Sequence, residues 1–586
     1  MHGTAAPSVG EGAFVVLDGA GLDADAVTRI ADRAAVPAVP PEALARADRS
    51  WRSARQAAAS GRMYGRHTGV GANRLVAVGD EDQAGQDLRL LRSHAGGVGS
   101  LLPVRQVRAA LAVRANQALA GGSGLQPAVV EALVEALRLG VHPAVGEYGA
   151  VGTGDLTALA ETGLALIGER PWLHEDPDPA PDPAHAFREG PWPADPAAPG
   201  ERSVLDGLRE GLSGAVQDPA AAPVSASASA SASASASVSG ERDRTPGAPA
   251  APADPAAALH PRAVPAPVPA PVTLQQGDAL ALMSSSAFTL GQAALVCHDL
   301  DILLRASHAV AALSLAAVSG SLEAYAAPAV AIRPYPGALH AAAEVRRLLG
   351  EPDRPRSAGR RIQDPYGFRA FPQVHGPALE AAWALRRIVA VEVNCPSENP
   401  LISEDGGADG GPAAYHHGGF MATPVGLALD QLCLAVLQTG QLSAARLTAF
   451  GDPEITGLRS YLASGAAASS GIMILEYSAN SALAELRASA APASAGHTVL
   501  SRGVEEAASF APQAARQALR AVDAYRLVLA CELVAAVRAL RLLPARPDAP
   551  VLAVLDEPTL PAGTEDRALT PDVTAAADLL PRLAEL

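Results

Sequence analysis

Four stretches of this chain bring together residue types that do chemistry. The first is Tyr64-Gly65-Arg66-His67-Thr68-Gly69-Val70-Gly71. Its three glycines in eight residues point to close backbone approach or positive φ rather than helix. Tyr64 reads either as a buried base or hydrogen-bond donor, or as a packed tyrosine on a Gly-rich turn. The second is Arg92-Ser93-His94-Ala95-Gly96-Gly97-Val98-Gly99. Ser-His brings to mind a nucleophile and its base. Adjacent residues on a helix point in different directions, however, so a helix end terminated by glycine is the plainer reading. The third is Gly149-Ala150-Val151-Gly152-Thr153-Gly154-Asp155-Leu156. Its glycines can cradle a phosphate at a helix N-terminus, but no strand is expected before it, which argues against a dinucleotide site. The fourth runs from Gln363 to Gly376 and holds Arg369 among aromatics in a Pro-punctuated loop. A planar guanidinium there can grip both oxygens of a carboxylate, or simply hold a nearby Asp.

Composition narrows the chemistry. The chain has 586 residues, 45 Lys+Arg and 61 Asp+Glu, for a formal net charge of −16. That balance excludes the basic stripes with which nucleic-acid binders neutralise phosphates. No lysine is present, and all 45 basic residues are Arg. A Schiff-base lysine, the usual pyridoxal-phosphate site and a Walker-A loop are therefore ruled out. Cys297, Cys395, Cys433 and Cys531 are widely spaced, which indicates neither a zinc knuckle nor a disulfide framework and fits a reducing compartment. Cys395, between Asn394 and Pro396, reads as structural. His416-His417 lacks a third ligand in pattern, so no metal is expected. No basic-then-apolar leader is visible, and the apolar stretches carry charges, so a cytoplasmic protein without a membrane span is expected.

The elements that must position these residues read as helices. Val130, Leu133, Val134 and Leu137 recur at helical spacing, with Pro127 at the start and Gly140 just past the end. Thr423-Pro424 reads as an N-cap and first turn ahead of a long apolar segment. Val522, Leu529, Leu533, Val537 and Leu540 form another stripe, which Pro544 stops. Alternating β-branched runs are scarce, so an all-α fold of long packed helices is expected. Residues 1–173 form its N-terminal part, 273–545 its central bundle and 546–586 a C-terminal tail. Between the first two lies 174–272, rich in Pro, Ala and Ser with a Ser-Ala alternation from Ser225 to Ser237. It has too few large apolar residues to offset the entropy of ordering and is expected to be a disordered insertion.

In this order the motifs resemble the histidine/phenylalanine ammonia-lyase family. Tyr64 to Gly71 matches Tyr-Gly-x-x-Thr-Gly-x-Gly, and Ser93 to Gly99 matches the Ser-His-Ala-x-Gly-x-Gly of the histidine-type branch. Arg114-Ala115-Asn116, Ser123-Gly124 and His142-Pro143 follow at family spacing. Gln363 to Gly376 matches Gln-Asp-x-Tyr-x-x-Arg-x-x-Pro-Gln-x-x-Gly. Glu392-Val393-Asn394 and Asn399-Pro400-Leu401 resemble the family's Glu-apolar-Asn and Asp-Asn-Pro-Leu. Gly471-Ile472-Met473-Ile474, Glu485 and Pro492-Ala493-Ser494 follow in register.

The resemblance implies a long helical bundle of the fumarase/aspartase-like type. It also implies a homotetramer whose active sites are each drawn from three subunits, and a built-in electrophile in place of an external cofactor. Family members make that electrophile, methylidene-imidazolone, by cyclising and dehydrating an Ala-Ser-Gly tripeptide. Tyr64 stands at the position of the catalytic base; its unperturbed pKa of about 10 means that the site must favour phenolate. Arg369 stands at the carboxylate-binding position with Tyr366 as its neighbour and Gln373 in the same motif. His94 falls where the family sets side-chain preference, and Glu485 matches a pocket acid that contacts the substrate side chain or Tyr366.

Several positions depart from the pattern. The family's Gly-Ser-Val-Gly-Ala-Ser-Gly-Asp-Leu becomes Gly149-Ala150-Val151-Gly152-Thr153-Gly154-Asp155-Leu156. Either one residue is deleted, or Gly152-Thr153-Gly154 takes the place of Ala-Ser-Gly. Dehydrated Thr153 would carry a methyl on the electrophilic carbon, so a normal methylidene-imidazolone is not expected, although a ring from these three residues is chemically possible. The family's Asn-Gly-Thr appears as Ser284-Ser285-Ser286, which removes a helper Asn and leaves Ser284 facing the substrate. Gly-Asn-Phe-His reads Gly418-Gly419-Phe420-Met421, keeping Phe420 as a pocket residue. Gln-Glu-Asp-His-Val-Ser reads Val504-Glu505-Glu506-Ala507-Ala508-Ser509. Two readings follow. In one, Tyr64 and Arg369 face each other across a cavity and run an elimination, addition or isomerisation on an amino acid or analogous carboxylate, with the true imidazolone-dependent lyase as a variant. In the other, the chain is a non-catalytic family-fold subunit paired with an active paralogue.

Overall fold

Apolar residues on every face of one long segment decide the architecture. The computed structural model describes residues 14–79, 81–174, 267–355, 361–408, 410–556 and 560–586. Most of the Pro/Ala/Ser-rich stretch lies outside the described residues. Five long helices carry the core: α1 (Val104–Leu119), α2 (Ala287–Ala317), α3 (Phe371–Glu392), α4 (Thr423–Ala449) and α5 (Ala511–Leu542). The 31-residue α2 is buried on nearly its whole circumference, as a helix apolar all round must be. It packs against α5, α1 and α3, and α4 closes the bundle against α3 and α5. The helix Thr570–Leu583, in the C-terminal stretch, packs on α5 and α2.

One ion pair inside the bundle fixes how it meets the loops. Arg446 on α4 and Glu532 on α5 are 1% and 0% exposed, with Arg446 Nε 2.5 Å from Glu532 Oε1. Ser314 Oγ and Ser443 Oγ each donate to that carboxylate at 2.6 Å, so the buried charge is paired and satisfied. Arg446 Nη1 also donates to Gly367 O at 3.0 Å, tying the bundle centre to the short helix Tyr366–Arg369.

Pro127 stands in the first turn of the helix Pro127–Leu139, and Gly140 ends it at φ +71°. Thr423 does not cap: α4 begins at Thr423 itself, after Ala422, with no side-chain cap. The N–H groups of a first turn lack helical partners in any case, so threonine and proline can both sit inside it. The described strands are three or four residues long and form two-stranded pairs. One of them corrects an expectation. β1 (Val98–Leu101) pairs antiparallel with β2 (Gly146–Tyr148), so a strand does precede the Gly149 to Leu156 motif. It is too short for sequence periodicity to reveal, and its antiparallel partner still excludes a βαβ dinucleotide fold. β3 (Leu401–Ser403) pairs antiparallel with β4 (Ala413–Tyr415). Two segments, Asp278–Ala317 and Thr423–Ala449, have the length and hydropathy to cross a membrane, but 94% and 61% of their most apolar windows are buried within the protein.

Candidate active site

The Tyr64 loop follows the helix Pro41–Ser60 and folds back on itself. Gly71, at φ +55°, donates its N–H to Tyr64 Oη at 2.7 Å. Burial raises the Tyr64 phenol above its ordinary range; the Gly71 N–H opposes that, the Glu505 charge adds to it and Arg74 opposes it. A base here therefore begins with its proton held, and the Gly71 dipole is the nearest group favouring phenolate.

Glu505 links this loop to the glycine-flanked threonine. Ser501 Oγ donates to Glu505 Oε1 at 2.5 Å, and Thr153 Oγ1 donates to Oε2 at 3.4 Å. Gly152 and Gly154 bracket Thr153 at φ +95° and +107°. Segment 501–510 buttresses them: Ser509 Oγ donates to Gly152 O at 3.0 Å, and Phe510 N–H donates to Val151 O at 2.9 Å. Ser501, Arg502 and Phe510 all take left-handed φ of 50–58°. Non-glycine residues pay for that conformation and cluster where a site over-determines it. Behind the loop, Asp155 accepts from Thr289 N–H at 2.9 Å and Thr289 Oγ1 at 3.0 Å, and burial pushes its carboxyl up to about 6.

Ser284 is buried, and its Oγ accepts from Asn399 N–H at 3.1 Å. Phe420 is half-buried in the turn between β4 and α4. His94 ends the helix Gln83–His94, and its Nδ1 lies 3.0 Å from both Ser93 Oγ and Leu90 O. Against the helix-geometry expectation the two side chains do meet, because both curl back onto the same carbonyl; Ser93 Oγ donates to Leu90 O at 3.1 Å.

Arg369 and Tyr366 occupy a different place. The Arg369 guanidinium carbon lies 4.5 Å over the Tyr366 ring, and its buried Nε has no hydrogen-bond partner. Pairing with the nearby Asp is excluded, because Asp364 is taken by Arg361 Nε at 2.8 Å. Tyr366 is 70% exposed, Gln373 is exposed on the first turns of α3, and Glu485 is exposed on the helix Met473–Ser489. One residue separates Arg369 from α3, whose far end is Glu392, six residues before the Glu398-Asn399-Pro400 segment that lines a cavity with Tyr64. The 22 residues of α3 span about 33 Å, so Tyr64 and Arg369 of one chain do not face each other. The expected juxtaposition is corrected by this helix: one chain holds the Tyr64 phenol towards one end of α3 and the Arg369 guanidinium at the other.

Two neighbours of Tyr64 were not expected there: His416, which the sequence offered only as one of a histidine pair weighed for metal, and Glu398, which it did not single out. His416 Nε2 accepts from Tyr64 N–H at 3.4 Å, with the rings edge-to-face at 6.3 Å. Glu398 is 1% exposed and lines the same cavity as Tyr64. Arg114 was the available signal for Glu398, since a charge within the apolar α1 requires a buried counter-charge. Among the described residues no group of three or more His, Cys, Asp and Glu is arranged to hold a metal.

The Gly152-Thr153-Gly154 loop does not fit the family's ordinary tripeptide. A Cβ at Gly152 would run into Ser509 Oγ and lie 2.9 Å from Phe510 N, so alanine has no room there.

Comparison with known proteins agrees with this architecture. The profile of the family described as aromatic amino acid lyase matches residues 22–189 and 256–557. The chain is 31% identical to histidine ammonia-lyase of Anaeromyxobacter dehalogenans over 576 residues, covering 97% of this chain and 98% of that protein. It is 30% identical to histidine ammonia-lyase of Sorangium cellulosum over 563 residues, covering 94% of each. Among solved structures it resembles histidine ammonia-lyase from Trypanosoma cruzi, with a TM-score of 0.73, 24% identity, and 97% and 93% of the two chains covered. It also resembles tyrosine aminomutase from Streptomyces globisporus, with a TM-score of 0.75, 24% identity and 97% of each chain covered. The chain belongs to the aromatic amino acid lyase family.

Proposed function

We propose that this chain catalyses an ammonia-lyase-type β-elimination on an amino acid. Tyr64 is the base, Arg369 of a neighbouring copy grips the substrate carboxylate, and no methylidene-imidazolone of the ordinary kind takes part. The observation that carries this reading is the Arg369–Tyr366 pair: a guanidinium with an unpartnered buried Nε, stacked on an exposed ring. Nothing described in its own chain uses it, so it is free to serve an anion brought by another copy. A second copy bringing Arg369 to Tyr64 makes the chain at least a homodimer, and the homotetramer expected of the family supplies such contacts.

Each residue then has a defined task. Arg369 fixes the carboxylate with its two-pronged donor set. Tyr64, as phenolate supported by the Gly71 N–H, takes the β-proton. The C–N electron pair leaves with nitrogen, so a protonated α-ammonium departs as neutral ammonia and an unsaturated carboxylate remains. The Ser93 to Gly99 stretch with His94 matches the histidine-type branch, and Glu485 a family pocket acid, which makes an imidazole side chain the first to test.

The test has two parts. Ammonia release and olefin absorbance are followed with histidine, tyrosine and phenylalanine. Tyr64→Phe and Arg369→Gln are then prepared separately, unfolded together and refolded as a mixture. Each variant alone is inactive, and the mixture regains activity if base and clamp come from different copies. Failure of the wild type to turn over any of the three amino acids overturns the reading.

A further inference from the structure

We propose that this chain cleaves its own backbone between Gly152 and Thr153, with the Thr153 hydroxyl as the nucleophile. The groups that such a step needs stand on both sides of that one peptide bond. Thr153 Oγ1 directs its proton to Glu505 Oε2 at 3.4 Å. Contacts of this kind are often long at rest and tighten as the proton moves, so Glu505 is placed as the general base. On the other side, Ser509 Oγ donates to Gly152 O at 3.0 Å, the oxygen that gains negative charge during attack. Ser509 is buried, and its Oγ also accepts from Ala511 N–H at 3.3 Å, which fixes the donor in place. Gly152 permits this approach, since a Cβ there would run into Ser509 Oγ. The left-handed backbone at Ser501, Arg502 and Phe510 shapes the short segment that carries both base and donor.

Two atoms can close a five-membered ring on the Gly152 carbonyl carbon: the Gly154 nitrogen and Thr153 Oγ1. The first belongs to an amide whose electron pair is delocalised, and among the described residues nothing accepts from its N–H. The second is a hydroxyl with a carboxylate on its proton, and it is the better nucleophile here. Its oxygen bonds to the Gly152 carbonyl carbon, and its proton passes to Glu505. The bond from that carbon to the Thr153 nitrogen breaks. The electron pair stays on nitrogen, which takes the proton back from Glu505, and an ester joins Gly152 to the Thr153 side chain. Water then hydrolyses the ester, leaving a carboxylate on Gly152 and returning the hydroxyl to Thr153. One water is consumed, and nothing is oxidised or reduced. The chain has no lysine, so the α-amine freed on Thr153 brings a primary amine to a site without an amine side chain. Because α1 packs against α2, the two pieces stay together in one core.

The test follows the full-length protein at neutral pH by mass spectrometry under denaturing conditions. Fragments 1–152 and 153–586 are expected to accumulate, with masses that together exceed the intact chain by one water. Hydroxylamine attacks the ester, so it should speed the split and leave a hydroxamate on Gly152. Periodate oxidises an N-terminal threonine to an aldehyde, so an aminooxy probe should then label the fragment that begins at Thr153. Thr153→Ser keeps a hydroxyl and should still split. Thr153→Val keeps the shape without the oxygen and should not. Glu505→Gln and Ser509→Ala should each slow the split by about tenfold or more. Circular dichroism of each variant shows that it has folded, and the hydroxylamine and periodate readouts on the wild type need no variant at all. An unbroken chain after days with hydroxylamine overturns the proposal. So does a chain two waters lighter, which means that the Gly154 nitrogen closed the ring instead, or a split that persists in Thr153→Val. None of these readouts needs turnover of an amino acid, so self-cleavage and the lyase reading stand or fall separately.

Discussion

Replacing Gly152 by alanine restores the residue type that relatives carry in the tripeptide, and here it should be damaging. The backbone at Gly152 has φ +95°, where an L side chain costs about 1–2 kcal/mol. Its Cβ would run into Ser509 Oγ and come within 2.9 Å of Phe510 N, and overpacking of this kind costs about 1–3 kcal/mol. Gly152→Ala should therefore destabilise by about 2–5 kcal/mol. Ser509→Ala alone loses the hydrogen bond to Gly152 O, a cost of about 1 kcal/mol. It also removes the clashing oxygen, so the double variant should be less damaged than the two singles imply, by about 1–2 kcal/mol of coupling. Urea unfolding of the four proteins, followed by tryptophan fluorescence and circular dichroism, measures the cycle. Additive single effects, or a Gly152→Ala cost below about 0.5 kcal/mol, would refute the argument that segment 501–510 shapes this loop.

Tyr64→Phe removes the proposed base and should lower kcat by about 10²–10⁴ with an unchanged circular dichroism spectrum. Glu505 raises the Tyr64 phenol, so Glu505→Gln should move the acidic limb of the rate profile to lower pH, read from kcat/KM across the pH range. Arg369→Lys keeps charge but loses the fork, and should raise KM for the amino acid at least tenfold, measured by initial rates. Asp155 has a folded pKa of about 6 against an ordinary 3.8. Its contribution is fully present below pH about 4 and lost as pH rises through 6, so Asp155→Asn should flatten the change in urea midpoint between pH 5 and 7.

Helices were the legible part of the fold, because their signals are local. Pro127, Gly140 and the stripe from Val522 to Leu540 each announce an element within a few turns of chain. Thr423 misled because threonine before proline reads as a cap whether or not its hydroxyl finds an N–H. The β1–β2 pair was invisible, since three-residue strands have no period to detect. In the site, Tyr64, Thr153 and Arg369 stood out by their glycine and proline surroundings. His416 stood out only as one of a histidine pair weighed for metal; its place beside Tyr64 did not, because the β3–β4 pairing brings it there from 352 residues away. Glu398 hid inside a motif whose neighbours, Asn399 and Pro400, drew the reading. That Tyr64 and Arg369 belong to opposite ends of a helix is a matter of tertiary distance, to which residue types and spacing are blind.

The length of α3 has a consequence for how this sequence can change over time. The helix sets the angle as well as the distance between the Arg369 turn and the Asn394 turn. Gaining or losing a single residue inside it would swing one end by about 100° and shift it by about 1.5 Å relative to the other. The Arg369 turn and the Glu398 segment would then be misaimed relative to each other. Substitutions on the exposed face of α3 disturb neither quantity, while Phe371, His375, Leu379, Leu385 and Val389 are held by the core, so the helix acts as a ruler between its two ends.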